Sequence, residues 1–350
     1  MESRQKTYLI TGGAGFLGYH LAKGVAARGG RAVIFDIAEI DPKEYPPDTI
    51  YIQGDVRDLA ALRQAAAGVE LIIHAAAALP LCSAEDIRST TVAGTRNVLA
   101  VAKELKIPRA VFISSTAVYG VPKKHPIEED DPRVGVGPYG ESKIAAEKLC
   151  EAARQEGFCV PIIRPKTFIG TGRLGVFQIL FDWVREGRHI PIIGRGENRY
   201  QLLEVTDLVE AILLASEAPA ERANDTFNVG AKEFGTVKDD VKALCQFARA
   251  GSRVLPTPAW LVKPILGLLH ALKLSPLYKW VYATADRDSF VATEKIEHAL
   301  GWRPRFSNAE GLINAYHWYL DHWQELAGQS GVTHRVAWKQ GALGLIRRFL

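Results

Sequence analysis

The amino-acid sequence predicts an α/β protein built on a doubly wound parallel sheet, with a smaller, mostly helical C-terminal substrate lobe. Two observations carry the sheet. An apolar strand at residues 8–10 runs through Gly12, Gly15 and Gly18 into an apolar-periodic helix, and uninterrupted apolar strands then alternate with helical segments as far as residue 113. Such runs are buried on both faces, as in a parallel sheet, whereas a sheet with one wet face alternates polar and apolar residues. A third observation sets off the lobe: residues 256–282, PTPAWLVKPILGLLHALKLSPLYKWVY, are strongly apolar and read as a helix pair.

The first strand, its glycines and the helix after them make an anion site. Bare glycine backbone lets a pyrophosphate approach, and the unpaired amides and positive dipole end of the helix receive it. The second strand, 32–35, ends in Asp36. A carboxylate about twenty positions beyond the glycines accepts hydrogen bonds from adenosine ribose hydroxyls and repels a 2′-phosphate. The pair therefore predicts NAD as cofactor in preference to NADP.

Composition narrows the class further. At 350 residues the chain can bury a sizeable core, and its 47% hydrophobic and 23% charged content is ordinary for a globular protein. A net charge of +4 without interleaved aromatic and basic residues gives no sign of nucleic-acid binding. Cys82, Cys150, Cys159 and Cys245 form no C-x-x-C pair, and the nine histidines form no H-E-x-x-H set, so reduced thiols and no metal are expected. The start, MESRQKTYLITGG, has no apolar core of secretory type, which predicts a cytoplasmic protein.

A third strand at 50–53 leads to Gly54-Asp55-Val56-Arg57-Asp58. Asp55 is placed to accept from an adenine amino group with Val56 against the ring, while Asp58 suits the N-cap of a helix over 59–67. The fourth strand, 71–73, ends in His74-Ala75-Ala76-Ala77, whose small residues leave room for a cofactor. After a helix over 92–105, the fifth strand, 110–113, opens into Ser114-Ser115-Thr116. Tyr139 and Lys143 follow, four apart and hence on one helical face. A tyrosine with its pKa near 10 acts as a base at neutral pH only beside a cation. Lys143 supplies that cation, and Ser115 can hold the substrate oxygen.

With these residues in order, the chain resembles the extended short-chain dehydrogenase/reductase superfamily, in its NAD-dependent epimerase/dehydratase and 3β-hydroxysteroid-dehydrogenase-like branches. TGGAGFLG, Asp36, GDVRD, HAAA, SSTAVYG, YGESK, Arg164-Pro165, Val205-Thr206-Asp207 and Phe227-Asn228-Val229-Gly230 carry the resemblance. It implies a Rossmann-type domain with catalysis by Ser115, Tyr139 and Lys143. Gly12, Gly15, Phe16, Leu17, Gly18, Asp36, Asp55, Val56, Ala75, Ala76, Tyr139, Lys143 and Pro165 would hold the dinucleotide. It also implies a homodimer formed through helices such as 92–105 and 139–154. The expected organisation is a cofactor domain at 1–168 with its sheet resumed over 193–255, a substrate lobe at 169–192 and 256–328, and a basic amphipathic tail at 329–350.

The departures from the family bear on substrate. The family commonly has Asn in an N-V-x-G-T pattern, where this chain has Thr91-Val92-Ala93-Gly94-Thr95. Nucleotide-sugar members have a diphosphate-contacting Asn and an Arg in G-x-G-x-x-x-R, where this chain has Thr167 and Tyr200, with Arg199 one residue away. Thr116, Thr167, Arg199 and Tyr200 are the candidate substrate contacts. Loss of both anchors, ~3 kcal/mol in total, weakens a nucleotide sugar about a hundredfold unless Arg195 or Arg199 takes over.

With 256–282 as an apolar lid, these departures favour oxidation of a secondary alcohol on a lipophilic, sterol-like 3β-hydroxy substrate. Decarboxylation follows where the product is a β-keto acid. The alternative is a nucleotide-sugar epimerase or dehydratase using the same triad, the epimerase fitting better because Thr116 and Ala117, not an acid, follow Ser115. A second alternative is a non-catalytic NAD-sensing protein. The charges and Pro264 of 256–282 argue against a membrane span, but that stretch and the basic tail at 331–350 both suit peripheral contact with the inner face of a membrane.

Overall fold

The computed structural model describes residues 5–272 and 279–326. The expected tail at 329–350 and residues 273–278 of the apolar stretch lie outside the described residues. The described residues form two compact units, one within Met1–Lys166, Val205–Gly230 and Val291–Arg303, the other within Thr167–Glu204, Ala231–Phe290 and Pro304–Leu350.

In the first unit, β1 (Thr7–Thr11), β2 (Arg31–Asp36) and β3 (Ile50–Gln53) wind one way from the centre. β4 (Leu71–His74), β5 (Ala110–Ile113), β6 (Ile162–Pro165) and a last strand, Thr226–Val229, wind the other. The seven strands lie in the order Thr226–Val229, β6, β5, β4, β1, β2, β3, and every pairing is parallel. Leu9, Ile10, Ile72, Ile73 and Val111 are wholly excluded from water, as their uninterrupted apolar runs predict. The winding reverses between β1 and β4, so their carboxyl ends flank the switch point where sheets of this kind bind ligands.

The helices of this unit are α1 (Phe16–Ala27), α2 (Leu59–Ala65), α3 (Ala84–Arg88), α4 (Gly94–Glu104) and α5 (Gly137–Gln155), followed by Val205–Glu217 and Glu294–Leu300 among others. Asp58 caps α2, accepting from the amides of Ala60 (2.9 Å) and Ala61 (3.1 Å). The helix expected over 92–105 is α4 preceded by a π-helical turn at Ser89–Ala93. There the Thr95 hydroxyl donates to the Thr91 carbonyl at 2.6 Å, a side chain bonding a backbone acceptor of the preceding turn.

The second unit is mostly helical. Helices Val176–Arg185, Val237–Ala248 and Asn308–Leu326 bury Phe181, Trp183, Leu244, Tyr316 and Tyr319 in one core. Two short parallel pairs complete it, Thr167–Ile169 with Leu202–Glu204 and Ile190–Ile193 with Val254–Thr257. The expectation that the sheet resumes over 193–255 is therefore corrected. Only 205–230 of that segment rejoins the cofactor sheet, because the strands on either side of it pair within the second unit.

Candidate active site

Gly12 turns the chain after β1 with φ at +71°, and a Cβ there would lie 2.7 Å from the Ala76 backbone. At Gly18 a Cβ would meet Gly12 O and Gly13 Cα at 2.4 Å, so glycine alone lets α1 press onto the loop. Gly15 is the N-cap of α1 without a capping side chain, and the first turn, beginning Phe16-Leu17, contains no acid. That helix end turns its positive dipole toward an anion, and a cradle that a Cβ would fill fits the pyrophosphate of a dinucleotide. Tyr45, which sequence reasoning missed, donates to Gly13 O at 3.1 Å and steadies the loop.

Asp36 ends β2, and its carboxylate accepts from the amides of Ala14 and Ala38, both at 3.0 Å. Burial pushes its pKa up while these amides work against the rise. The carboxylate is thus fixed to the glycine loop itself. Asp55 has a different environment. Arg57 grips its carboxylate through Nε and Nη2 at 2.9 and 2.6 Å and bonds it again through its amide at 2.8 Å. These bonds to Arg57 hold the Asp55 carboxyl below the usual range, so the acceptor expected for adenine is largely committed to a neighbour. Val56 is buried against Gly94, and Asn97 fixes the carbonyls of Val56 and Arg57, both at 3.0 Å.

His74 ties the end of β4 to this loop. Because the Thr95 hydroxyl donates to the Thr91 carbonyl, it accepts from His74 Nε2 (3.1 Å); Nδ1 then accepts from the Thr11 hydroxyl (2.7 Å). Thr11 Oγ1 in turn accepts from Ala76 N at 3.3 Å, which holds Ala75-Ala76 against Gly12. Burial, reinforced by the charge of Lys143, pulls the imidazole down to about 3, so it is a neutral structural link.

The serines leave the end of β5. Ser115 Oγ accepts from Ala117 N (3.1 Å) and caps the short 3₁₀ turn Thr116–Tyr119. Thr116 Oγ1 donates to the carbonyl of Pro165, the last residue of β6 (3.3 Å). On α5, Tyr139, Lys143 and Glu147 recur every fourth residue. Lys143 is buried, and its Nζ donates to Ile113 O at 2.8 Å. It also lies 5.0 Å from the Phe112 ring centre and 5.9 Å from that of Tyr139. Burial draws its pKa down to about 8, with the negative charge of Glu147 acting in the opposite sense. An ammonium held beside a tyrosine ring is the arrangement that stabilises a phenolate.

A buried ionic network supports these elements, and sequence reasoning missed it. Glu147 is paired with Arg164 through two bonds (2.8 and 2.7 Å), with Arg133 (2.9 Å) and with the Ser114 hydroxyl (2.5 Å). Arg164 continues to Tyr119 OH (2.6 Å), which donates to Asn228 Oδ1 (2.8 Å). The pairing with the arginines outweighs burial and holds the Glu147 carboxyl below its usual range. The continuation of the Tyr139, Lys143 spacing to Glu147 is the signal that finds it.

The remaining candidates belong to the second unit. Thr167 and Tyr200 share a hydrogen bond of 2.8 Å. The Arg199 guanidinium packs over the rings of Phe234 and Phe290, 4.5 and 4.7 Å from their centres, while its amide donates to Asp288 Oδ1 at 2.7 Å. Arg195 is exposed.

The strand order and the glycine cradle describe a Rossmann-type enzyme of the extended short-chain dehydrogenase/reductase class. Comparison with known proteins takes the identification further: the chain belongs to the NAD-dependent epimerase/dehydratase family, which matches residues 8–230. An uncharacterised protein of Sinorhizobium fredii, y4nG, is 35% identical over 97% of this chain and 85% of its own length. UDP-glucose 4-epimerase of Lacticaseibacillus casei is 25% identical over 90% of this chain and 97% of that protein. The crystal structure of UDP-glucose 4-epimerase from Thermotoga maritima with UDP-glucose has the same fold, with a TM-score of 0.76 at 22% identity over 91% of this chain and 99% of that one.

Proposed function

We propose that the protein is a nucleotide-sugar epimerase that oxidises a secondary alcohol of the sugar to a ketone and reduces it again on the other face. This takes the alternative drawn from the sequence in preference to a sterol-like substrate, because relatives along nearly the whole chain include proteins named UDP-glucose 4-epimerase and dTDP-glucose 4,6-dehydratase. The observation that carries the chemistry is the clamp on Lys143, which fixes its ammonium to the end of β5 and beside Tyr139. Tyr139 takes the hydroxyl proton, Ser115 holds the oxygen, and Lys143 keeps the tyrosine acidic enough to act as base. The glycine cradle, Asp36 and the Val56 turn hold the dinucleotide. NAD, when bound, accepts hydride from the carbinol carbon and returns it. No acid follows Ser115, which favours epimerisation over dehydration. The reading includes a cytoplasmic homodimer with peripheral membrane contact.

The test is incubation of the NAD-loaded protein with UDP- and dTDP-hexoses, following the epimers by NMR and NADH by absorbance. Epimers without net NADH are expected, and Tyr139→Phe should abolish turnover while retaining NAD. Net NADH without epimerisation overturns the proposal. It would favour instead the lipophilic alcohol, a reading supported by the neutral Thr167–Tyr200 pair.

A further inference from the structure

The helix Ala259–Ala271 carries its polarity the wrong way round for a helix facing water. Its inward side holds Leu266, which is buried, and Lys263, whose ammonium bonds Asp286 (2.6 Å) and Ala283 O (2.9 Å). The outward side is apolar throughout. Trp260 is 78% exposed, Leu268 62% and Leu272, just past the helix, 57%, with Leu261 and Ile265 exposed between them. Positions 261, 265, 268 and 272 fall on one helical stripe. Scattered apolar side chains on a surface are ordinary, but a continuous row led by a tryptophan marks a contact surface.

Charge identifies what the row contacts. Residues 241–285 contain Lys242, Arg249, Arg253, Lys263, Lys273 and Lys279 and not one Asp or Glu, and of these cations Lys263 is spent on Asp286, just past the stretch. Lys242, Arg249 and Arg253 are exposed. A second copy of the chain would bring the same cations against these, and so would the acid-free tail at 331–350 with Arg335, Lys339, Arg347 and Arg348. Like charges oppose both of those contacts. An anionic lipid surface satisfies both features at once: headgroups attract the cations, the leucines and isoleucine enter the acyl boundary, and tryptophan prefers the interface. We propose that the outward face of Ala259–Ala271 docks the protein on the surface of an anionic bilayer, with Trp260, Leu261, Ile265 and Leu268 as the inserted side chains.

The experiment is vesicle flotation of the NAD-loaded full-length protein, using phosphatidylcholine vesicles with and without phosphatidylglycerol. The wild type should float with the anionic vesicles, and added salt should weaken the association. A Leu261→Glu, Leu268→Glu double variant and a separate Trp260→Ala variant should bind roughly tenfold less or weaker still, since each loses buried apolar area. Circular dichroism and retained NAD binding establish that the variants are folded. Failure of the wild type to bind anionic vesicles at low salt overturns the proposal, and so does equal binding by the variants. A variant that changes the oligomeric state while the wild type ignores vesicles assigns the face to a second copy and overturns it equally.

Discussion

The hydroxyls of Thr167 and Tyr200 are hydrogen-bonded to each other at 2.8 Å. In the resemblance drawn from the sequence, these two positions are those of the Asn and Arg that hold a sugar diphosphate. Here a neutral pair satisfies itself, and the adjacent Arg199 guanidinium is occupied by two phenyl rings. Diphosphate recognition is accordingly expected to be weak. Tyr200→Arg should restore a charge-assisted bond of ~1.5–3 kcal/mol and tighten UDP by about 10- to 100-fold. Calorimetric titration of the NAD-loaded protein measures it, and an unchanged affinity would place the diphosphate on other groups.

Asp36 is both the ribose acceptor in the proposed site and a brace for the Ala14 amide. Asp36→Ala removes the charge that repels a 2′-phosphate and also loosens the glycine loop. NAD should weaken by about tenfold, the value of ~1.4 kcal/mol, while NADP gains relative to NAD. Fluorescence titration with both nucleotides checks it; an unaltered NAD/NADP ratio would remove Asp36 from the discrimination.

Glu147 and Asp55 are both carboxylates paired with arginine, yet their substitution should differ greatly. Glu147 is wholly buried, and Glu147→Gln leaves the buried Arg164 short of its counter-charge while Arg133 keeps Glu151, which should cost about 3–5 kcal/mol. The pair of Asp55 with Arg57 is solvent-accessible on both sides, so Asp55→Asn should change stability by about 0–1 kcal/mol. Urea unfolding of the two variants gives the contrast directly.

What could be read from the sequence follows from the range of the forces involved. β3 and β5 appear at the expected residues because a continuous apolar run between turn residues is a local signal. Asp58 as a cap is local too. The adenine role expected of Asp55 met competition from Arg57, and the relevant geometry is that of one turn, not of the strand pattern. The Glu147–Arg164 pair and the His74 relay join residues 17 and 21 apart or more, so no window on one element contains them. The substrate preference rests on residues 256–282 acting as an apolar lid, whereas the described helix there turns its apolar side outward to water.

Lys143 offers a test in which stability and chemistry move in opposite directions. The site holds an ammonium that burial disfavours, with its pKa brought down to about 8. Against an unfolded lysine near 10.4, that depression corresponds to ~3 kcal/mol of lost stability at most at neutral pH. Between about pH 8 and 10.4 the unfolded chain binds more protons than the native one at this group, so native stability contributed by Lys143 rises with pH across that window. Lys143→Met removes the cost together with the cation. The variant should be about 1–3 kcal/mol more stable than the wild type at pH 7, with catalysis reduced by ~10²-fold or more because Tyr139 loses its acidifying neighbour. Its stability advantage should shrink as pH is raised from 8 towards 10, where the native lysine is already neutral. Urea unfolding of both proteins at pH 7 and again near the top of that window reads the difference. A stability gap that stays constant with pH would mean that the Lys143 ammonium is not the strained group, and the account of how Tyr139 is activated would have to change with it.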